Sequence, residues 1–270
     1  MKAALTIAGS DSGGGAGIQA DLKTFEAHKI FGTSVITALT AQNSVGVQAA
    51  MPVPIDMVRA QLKSVLSDFP IKAAKTGMLF NAETITAVSE VVATHSFPLV
   101  VDPVMVATSG DPLLEPEALD AMKRLILPAA SLITPNLAEA SLLCGGKPVQ
   151  NRKDMEAAAA ELVAMFPESW ILIKGGHLAD GKATDLLFCL DEEAVWLEED
   201  FVETEDTHGT GCTLSAAIAA NLAHGMRMQD AVVAAKQYVT GAIRQAWTGL
   251  GKGHGSLRHH FQSLPSIVHE

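Results

Sequence analysis

Apolar runs and helical patterns alternate along the chain. The apolar runs are short, which predicts buried strands over 3–8, 33–39, 71–75, 99–101, 132–133 and 170–174. Between them, apolar residues recur at helical spacing, which predicts helices over 18–28, 55–68, 82–95, 115–127, 137–143 and 152–166. Asn81, Asn136 and Asn151 stand where their side chains can cap three of these helices. Such alternation predicts a mostly parallel sheet with helices on both faces.

The last third of the chain departs from this alternation. Two short runs, 184–190 and 194–197, flank the acidic residues 191–193 and predict an antiparallel hairpin. Two helices are predicted over 211–224 and 229–247, and we expect the Gly- and His-rich tail from Gly249 to be ordered only in part. No repeat or linker divides the chain, so we expect a single domain over 1–258 and a C-terminal tail over 259–270.

Composition narrows the class of protein. The chain has 270 residues, of which 48% are hydrophobic, and this suits one large α/β domain or two small ones. A net charge of -11 without a basic face disfavours binding to nucleic acid or to an anionic membrane. The three cysteines form no CxxC pair, so a reducing cytoplasm fits better than a disulfide framework or a zinc ribbon. We expect neither a signal peptide nor a transmembrane span.

One stretch carries the strongest sign of chemistry. Gly209, Thr210 and Gly211 precede the small apolar run 214–222, which predicts a turn into a buried helix. Glycines let an anion approach the free N–H groups of a helix start, and the helix dipole favours negative charge there. Cys212 lies in the first turn, where we expect its thiol to ionise more easily than in free solution. The structural alternative is a glycine turn with a packing cysteine, which is common.

Polar residues follow three of the predicted strands. Asp102 follows strand 99–101, Asn136 and Glu139 follow strand 132–133, and Lys174 ends strand 170–174. Ligands bind beyond the carboxyl ends of such strands. Carboxylates hold hydrated Mg²⁺ and lysine offsets phosphate charge, so the set predicts a Mg²⁺–polyphosphate site. Each residue alone also has a structural interpretation, because Asn136 and Glu139 fit a capping box and Lys174 fits an exposed position.

Two other phosphate motifs fit poorly. Residues 15–20 match a G-x-G-x-x-A dinucleotide fingerprint, but no acidic residue lies between Glu26 and Asp56 to bind a ribose. Residues 176–182 approach a P-loop, but Ala183 stands where the Mg²⁺-binding Ser or Thr is needed. A dehydrogenase or a P-loop enzyme is therefore disfavoured.

Seven blocks, taken in order, resemble one known family. They cover residues 8–21, 38–43, 75–79, 101–105, 134–140, 174–177 and 208–215, within about residues 5–258. Together they resemble the hydroxymethylpyrimidine/phosphomethylpyrimidine kinases, a thiamine-pathway branch of the ribokinase superfamily. The loop after Asp11 departs from the family pattern, since it lacks the proline expected there.

The resemblance implies a fold and an activity. The fold is ribokinase-like α/β, with a central, mostly parallel sheet flanked by helices on both faces. The activity is ATP-dependent phosphorylation of 4-amino-5-hydroxymethyl-2-methylpyrimidine, followed by phosphorylation of the monophosphate to the diphosphate. ATP and Mg²⁺ are the implied cofactors, and a requirement for K⁺ stays open. The resemblance also implies a homodimer.

The resemblance further implies roles for individual residues. Cys212 occupies the catalytic-base position, and the amides of Gly209, Thr210 and Gly211 stabilise the transferring phosphoryl group. The pyrimidine pocket is implied to contain Gln42, Asp21, Gly9 and Met78. The implied ATP and metal residues are Lys174, Asn136 and Thr210 for the phosphates and Asp102 and Glu139 for Mg²⁺. For Gln42 there is an independent reason, because an amide offers both a donor and an acceptor to an aminopyrimidine edge.

Two other functions stay open. A pyridoxal or pyridoxine kinase of the same superfamily would share the phosphate site, although Gln42 favours the aminopyrimidine. A non-catalytic nucleotide-binding regulatory protein could keep the fold alone. The combination of Asp102, Glu139, Lys174 and Cys212 argues against the regulatory protein.

Overall fold

A computed structural model describes residues 2–105, 113–115, 117–176 and 181–263. The strands in this part of the chain are β1 (Ala3–Asp11), β2 (Phe31–Asn43), β3 (Gly46–Pro52), β4 (Ile71–Thr76), β5 (Leu99–Val101), β6 (Leu132–Ile133), β7 (Trp170–Gly175), β8 (Lys182–Phe188) and β9 (Val195–Asp200). They form one sheet in the order β3-β2-β1-β4-β5-β6-β7-β8-β9. Strands β2, β1, β4, β5, β6 and β7 are parallel, whereas β3, β8 and β9 pair antiparallel with their neighbours. The predicted mostly parallel sheet is confirmed.

The α-helices of the described residues are α1 (Gly17–Ala27), α2 (Ile55–Asp68), α3 (Ala82–Val92), α4 (Ala118–Ala121), α5 (Leu137–Leu143), α6 (Arg152–Met165), α7 (Thr210–Ala223) and α8 (Met228–Arg244). The Asn81, Asn136 and Asn151 side chains each accept a bond from a first-turn amide, so the three predicted caps are confirmed. The helix predicted over 115–127 is irregular, because α4 continues as a π-helical segment and then a 3-10 turn that contains Pro128. Proline lacks the N–H that a regular helix needs.

The sheet is apolar on both faces, and this explains the continuous apolar runs in the sequence. In β1, Leu5 and Ile7 belong to the core that α2 to α6 cover, whereas Ala4 belongs to the core beneath α1, α7 and α8. All three side chains have no exposed surface. A strand buried on both faces loses the polar alternation of a half-exposed strand.

The sequence prediction missed strand β3. It pairs antiparallel with β2, from Ala38 opposite Pro52 to Asn43 opposite Gly46. Most of its residues are exposed, so it shows neither an apolar run nor a buried alternation. The second hairpin, formed by β8 and β9, was predicted from its apolar runs and is confirmed.

The Gly- and His-rich tail packs against the rest of the protein as far as Phe261. Leu257 and His259 are buried, and the Tyr238 hydroxyl donates to the His259 carbonyl oxygen at 2.6 Å. Part of the predicted tail is thus held against α8, and residues 264–270 lie outside the described residues. The division into a domain over 1–258 and a tail over 259–270 stays a prediction.

The strand order places a crevice at the centre of the sheet. From β1 the chain first moves to β2 on one side and later to β4 on the other. Where the order reverses in this way, the loops beyond the carboxyl ends diverge and leave room for a ligand. Among the described helices, none is long and apolar enough to cross a membrane.

Candidate active site

A cavity of about 710 Å³ opens at the carboxyl ends of the parallel strands. This volume is in the range of small-molecule sites. Except for Asp21, all the site residues predicted from sequence line it: Gly9, Gln42, Met78, Asp102, Asn136, Glu139, Lys174, Gly209, Thr210, Gly211 and Cys212. The structure thus brings together groups that lie up to about two hundred residues apart in the chain.

The start of α7 forms one wall of the cavity. Gly209 has φ of 83°, and a β-carbon there would collide with the Gly15 carbonyl oxygen, so the turn requires glycine. The Thr210 amide already donates to the Thr207 carbonyl oxygen at 3.2 Å. An anion at this wall would therefore use the amides of Gly211 and Cys212, since the first-turn N–H groups of a helix have no intrahelical acceptor.

The Cys212 thiol is half-buried in the same first turn. Desolvation raises its pKa to about 11. Lys75 lowers this pKa, whereas Asp21 and Asp102 raise it further. The prediction of an easily ionised thiol is wrong, because removing the thiolate from water outweighs the effect of the helix start. At neutral pH the thiol is therefore protonated.

Lys174 and Asp102 form the opposite wall. Lys174 Nζ lies 2.8 Å from Asp102 Oδ1, and the same oxygen accepts from Thr134 Oγ1 at 3.2 Å. A β-carbon on Gly211 would lie 3.4 Å from Lys174 Nζ and 3.6 Å from Asp102 Oδ2, so the ammonium directly faces the helix start. Desolvation lowers the pKa of Lys174, but the Asp102 and Glu139 carboxylates raise it more, and the net shift is upward. Lys174 therefore stays charged.

Asn136 and Glu139 form the capping box that the sequence predicts. Glu139 Oε2 accepts from the Asn136 amide at 2.8 Å, and Asn136 Oδ1 accepts from the Glu139 amide at 2.9 Å. Both side chains nevertheless line the cavity, so the structural and functional interpretations hold together. Desolvation raises the pKa of Glu139 to about 7, which Lys174 opposes and Asp102 reinforces. A bound cation would favour its ionised form.

Asp11 organises the glycine-rich loop after β1. Its carboxylate accepts from the amides of Gly13, Gly15 and Ala16 at 2.8 to 3.0 Å, and His208 Nε2 lies 3.0 Å from Oδ2. Burial raises the pKa of Asp11, but the bonds from His208 and the loop amides have the larger combined effect. The net pKa of Asp11 is therefore below its usual value. These bonds hold the loop in place where the family's proline is missing, and they tie it to the residue before Gly209.

Gln42, Gly9 and Met78 all line the cavity. A β-carbon on Gly9 would lie 3.1 Å from Met78 Sδ, so glycine lets the thioether approach the end of β1. Gln42 Oε1 accepts from Thr40 Oγ1 at 3.1 Å, and Gln42 Nε2 lies 3.4 Å from His208 Nε2. The side-chain amide is thus held at the cavity surface.

The structure corrects the placement of Asp21. Its carboxylate has no exposed surface and does not line the cavity. Asp21 instead pairs with the equally buried Lys75, with Nζ at 3.1 and 3.2 Å from its two oxygens, and accepts from Thr6 Oγ1 at 2.6 Å. The reason is its position on α1, which directs the side chain toward β1 and β4. Lys75 was missed as a charged neighbour of Cys212.

A second charged pair at the cavity was also missed. Lys236 Nζ lies 2.6 Å from Asp185 Oδ2, and Asp185 Oδ1 accepts from the Gly175 amide at 2.9 Å. Both residues line the cavity. Each is a single charged residue within an apolar segment, and the two charges have opposite signs. This signal could have revealed the pair. Residues 177–180 lie outside the described residues; they belong to the P-loop-like stretch, and residue 177 also ends block 174–177.

The donor set suits a magnesium ion that is shared with phosphates. Asp102 and Glu139 place two carboxylates on one wall of the cavity, beside the cation Lys174. Mg²⁺ commonly takes one or two carboxylates and completes its shell with water and substrate phosphates. Within the described ranges, no three His, Cys, Asp or Glu side chains are grouped so that they could hold a metal.

Comparisons with known proteins agree with this geometry. The family model for phosphomethylpyrimidine kinase matches residues 11–258. A hydroxymethylpyrimidine/phosphomethylpyrimidine kinase from Streptomyces coelicolor is 51% identical over 255 residues, which cover 94% of this chain and 93% of that protein. One from Rhizobium meliloti is 51% identical over 259 residues and 96% of both chains. The solved ADP complex of Bacillus subtilis pyridoxal kinase superposes with a TM-score of 0.89 at 38% identity, covering 98% of this chain and 100% of that one.

Proposed function

The chain belongs to the phosphomethylpyrimidine kinase family, and on that premise we propose how its residues transfer phosphate from ATP to an aminopyrimidine alcohol. The enzyme is a phosphotransferase of thiamine biosynthesis. Its proposed substrates are 4-amino-5-hydroxymethyl-2-methylpyrimidine and then the monophosphate. The observation that carries this assignment is the closeness of Gly211 to the Lys174–Asp102 pair, because one phosphoryl group beside them could contact both a cation and the helix amides.

The lining of the cavity offers partners for both substrates. Gln42, Gly9 and Met78 would contact the pyrimidine, with Gln42 facing its amino edge. The lining also includes apolar side chains suited to a nucleoside base: Val202, Leu214, Val239 and Ile243. The phosphates would lie across Lys174 and the start of α7.

The proposed mechanism is in-line transfer that depends mainly on positioning and electrostatics. Lys174 and the amides of Gly211 and Cys212 hold negative charge on the phosphates. Because burial raises the pKa of Cys212 to about 11, its thiol is protonated at rest. Cys212 therefore orients the substrate hydroxyl through its sulfur. As the new O–P bond forms and the bond to ADP breaks, the hydroxyl proton passes to an oxygen of the transferred phosphoryl group, or to Cys212 when it is a thiolate. A loose transition state for phosphoryl transfer makes little demand on a base.

The second phosphorylation needs less from the thiol. Its nucleophile is a phosphate oxygen that is already ionised, so no hydroxyl proton has to leave. Lys174 and the α7 amides would serve both steps in the same way.

Asp102 and Glu139 are the proposed magnesium ligands. Mg²⁺, when bound, would neutralise phosphate charge. Glu139 would be drawn fully into its carboxylate form, and Asp102 would hold Lys174 beside the same phosphates.

We also propose that the protein is a homodimer and that it is located in the cytoplasm. Sedimentation of the purified chain at two concentrations tests the dimer.

A direct assay tests the proposed function. Purified protein is given ATP, Mg²⁺ and the pyrimidine alcohol, and the monophosphate and diphosphate are separated and quantified. Cys212→Ala should lower the first phosphorylation by about 10²-fold, because the group that orients the hydroxyl is lost, and the second by less. Cys189→Ala, a buried cysteine outside the cavity, is the matched control and should leave both rates unchanged.

Two outcomes would overturn parts of this proposal. Unchanged first-step turnover in Cys212→Ala would remove the thiol from the mechanism. A higher kcat/KM for pyridoxal than for the pyrimidine in the same assay would instead favour the pyridoxal kinase alternative.

A further inference from the structure

The Gly-rich segment 251–256 has no role in the mechanism above, yet it is bonded to the β2–β3 turn. Ser44 Oγ accepts from the amides of Lys252 and Gly253, each at 3.1 Å, and the Ser44 carbonyl oxygen accepts from the His254 amide at 3.0 Å. One residue of the turn thus receives three consecutive amides of the segment.

The same segment is bonded to the loop that leads into α7. The Gly255 amide donates to Asp206 Oδ1 at 2.8 Å, and the Gly255 carbonyl oxygen accepts from the His208 amide at 3.2 Å. The Ser256 carbonyl oxygen accepts from the Trp247 amide at 2.9 Å, and this bond attaches the segment to the chain just after α8. The segment therefore bridges two loops that approach the cavity from different parts of the sequence.

The approach is too close for side chains. A β-carbon on Gly253 would collide with the Ser44 carbonyl oxygen, and one on Gly255 would collide with Asp206 and the Trp247 carbonyl oxygen. Neither glycine has a positive φ, so glycine is needed here for backbone contact and not for backbone conformation.

The two bridged loops carry groups that must act on the same substrate. Gln42 lies two residues before Ser44, and His208 lies four residues before Cys212. Gln42 Nε2 is 3.4 Å from His208 Nε2. The β3 side of the hairpin is mostly exposed, so the sheet edge itself gives the turn little support.

We propose that residues 251–256 form a strap that fixes Gln42 relative to the His208–Cys212 loop, with Ser44 as a positioning residue for the pyrimidine. This inference rests on the proposed function, because it assigns pyrimidine recognition to Gln42. The strap sets how far the aminopyrimidine ring stands from the phosphoryl group. It acts on binding of the alcohol and not on binding of ATP.

Ser44→Ala tests the strap, because it removes the oxygen that accepts two amides and adds no bulk. The KM for the pyrimidine alcohol should rise about three- to tenfold, while the KM for ATP changes less than about twofold. Ser67→Ala is the matched control. Ser67 does not line the cavity, and its hydroxyl donates only to the Ser64 carbonyl oxygen within α2. A fall in thermal stability without a change in the pyrimidine KM would show that the contact is merely structural and would overturn the proposal.

A double-mutant cycle tests whether Ser44 affects pyrimidine binding through Gln42. If the strap acts through Gln42, Ser44→Ala should have little further effect on the pyrimidine KM in a Gln42→Ala background. Multiplicative effects of the two substitutions would overturn the proposal. If Gln42→Ala alone leaves the pyrimidine KM unchanged, the role proposed for Gln42 fails and the strap fails with it. If only Ser44→Ala is silent, the strap alone fails and the kinase assignment stands.

Discussion

Lys174 Nζ lies 2.8 Å from Asp102 Oδ1, so the ammonium that faces the phosphate site is held by a carboxylate before any substrate binds. The pair is largely buried, with 16% of the Lys174 side chain and 2% of the Asp102 side chain exposed. Breaking a buried pair leaves an uncompensated charge, so neither partner is easily moved away. ATP would therefore meet a cation that is already fixed in position, and binding would not have to order a flexible lysine.

Lys174→Met should impair the use of ATP. We expect kcat/KM for ATP to fall about 10²- to 10³-fold, because a preorganised charge beside the transferring group is lost. The KM for the pyrimidine should change little, since the role proposed for Lys174 is to bind the phosphates. Lys182→Met is the control, because Lys182 is half exposed and pairs with Glu198 outside the cavity. Equal losses in both variants would contradict a specific role for Lys174.

The buried Lys75–Asp21 pair should tune the Cys212 thiol in opposite directions. Lys75 lowers the pKa of Cys212 and Asp21 raises it. Lys75→Met should thus shift the pH dependence of Cys212 alkylation by iodoacetamide to higher pH, and Asp21→Asn should shift it to lower pH. The measurement is made with Cys144 and Cys189 replaced by alanine.

The double variant Lys75→Met with Asp21→Asn serves as the control for folding, since it leaves no unpaired buried charge. It should still show a raised pKa of the thiol, because the effect of Lys75 is larger than that of Asp21. Shifts in the same direction for both single variants would point to loosened packing and would contradict the electrostatic explanation.

Glu139→Gln should make the protein more stable above neutral pH while lowering its activity. The pKa of Glu139 is raised from 4.5 to about 7 in the folded state, mainly by desolvation. Between these values the unfolded chain releases the proton and the folded chain keeps it, so wild-type stability falls as the pH rises from 4.5 to 7. Glutamine does not titrate and escapes this loss, which amounts to about 3 kcal/mol at most.

Urea unfolding at pH 4.5 and pH 8 measures this difference. The stability advantage of Glu139→Gln over wild type should be larger at pH 8. Glu90→Gln, which removes the same charge from an exposed glutamate on α3, is the control for the loss of one carboxylate. An advantage that is the same at both pH values would show that the pKa of Glu139 is not raised.

The convergence of the site could be predicted because it follows from strand order. Asp102, Asn136 and Lys174 each end a parallel strand or directly follow one, and carboxyl ends of such strands share one edge of a sheet. The glycine turn before Cys212 was equally local. The sequence therefore predicted well those polar side chains that lie at the ends of strands and at the start of a helix.

Other features depend on contacts that a linear pattern does not show. The pKa of Cys212 is raised by burial, which is a property of the surrounding fold and not of the helix start. Asp21 matched a family position, but the alignment of letters does not reveal that its carboxylate points to Lys75. Strand β3 was missed because an exposed edge strand needs no apolar pattern.

The reversal of strand order at β1 divides the proposed site residues between two parts of the sheet. The half with β2, β1 and β4 presents Gln42, Gly9 and Met78, and the half with β5, β6 and β7 presents Asp102, Asn136 and Lys174. If the proposed roles hold, substitutions in the first half would change the preferred alcohol without disturbing the backbone that binds ATP. A pyridoxal kinase with this same architecture is the kind of sibling that such modularity allows, so new acceptors should evolve more readily here than new donors.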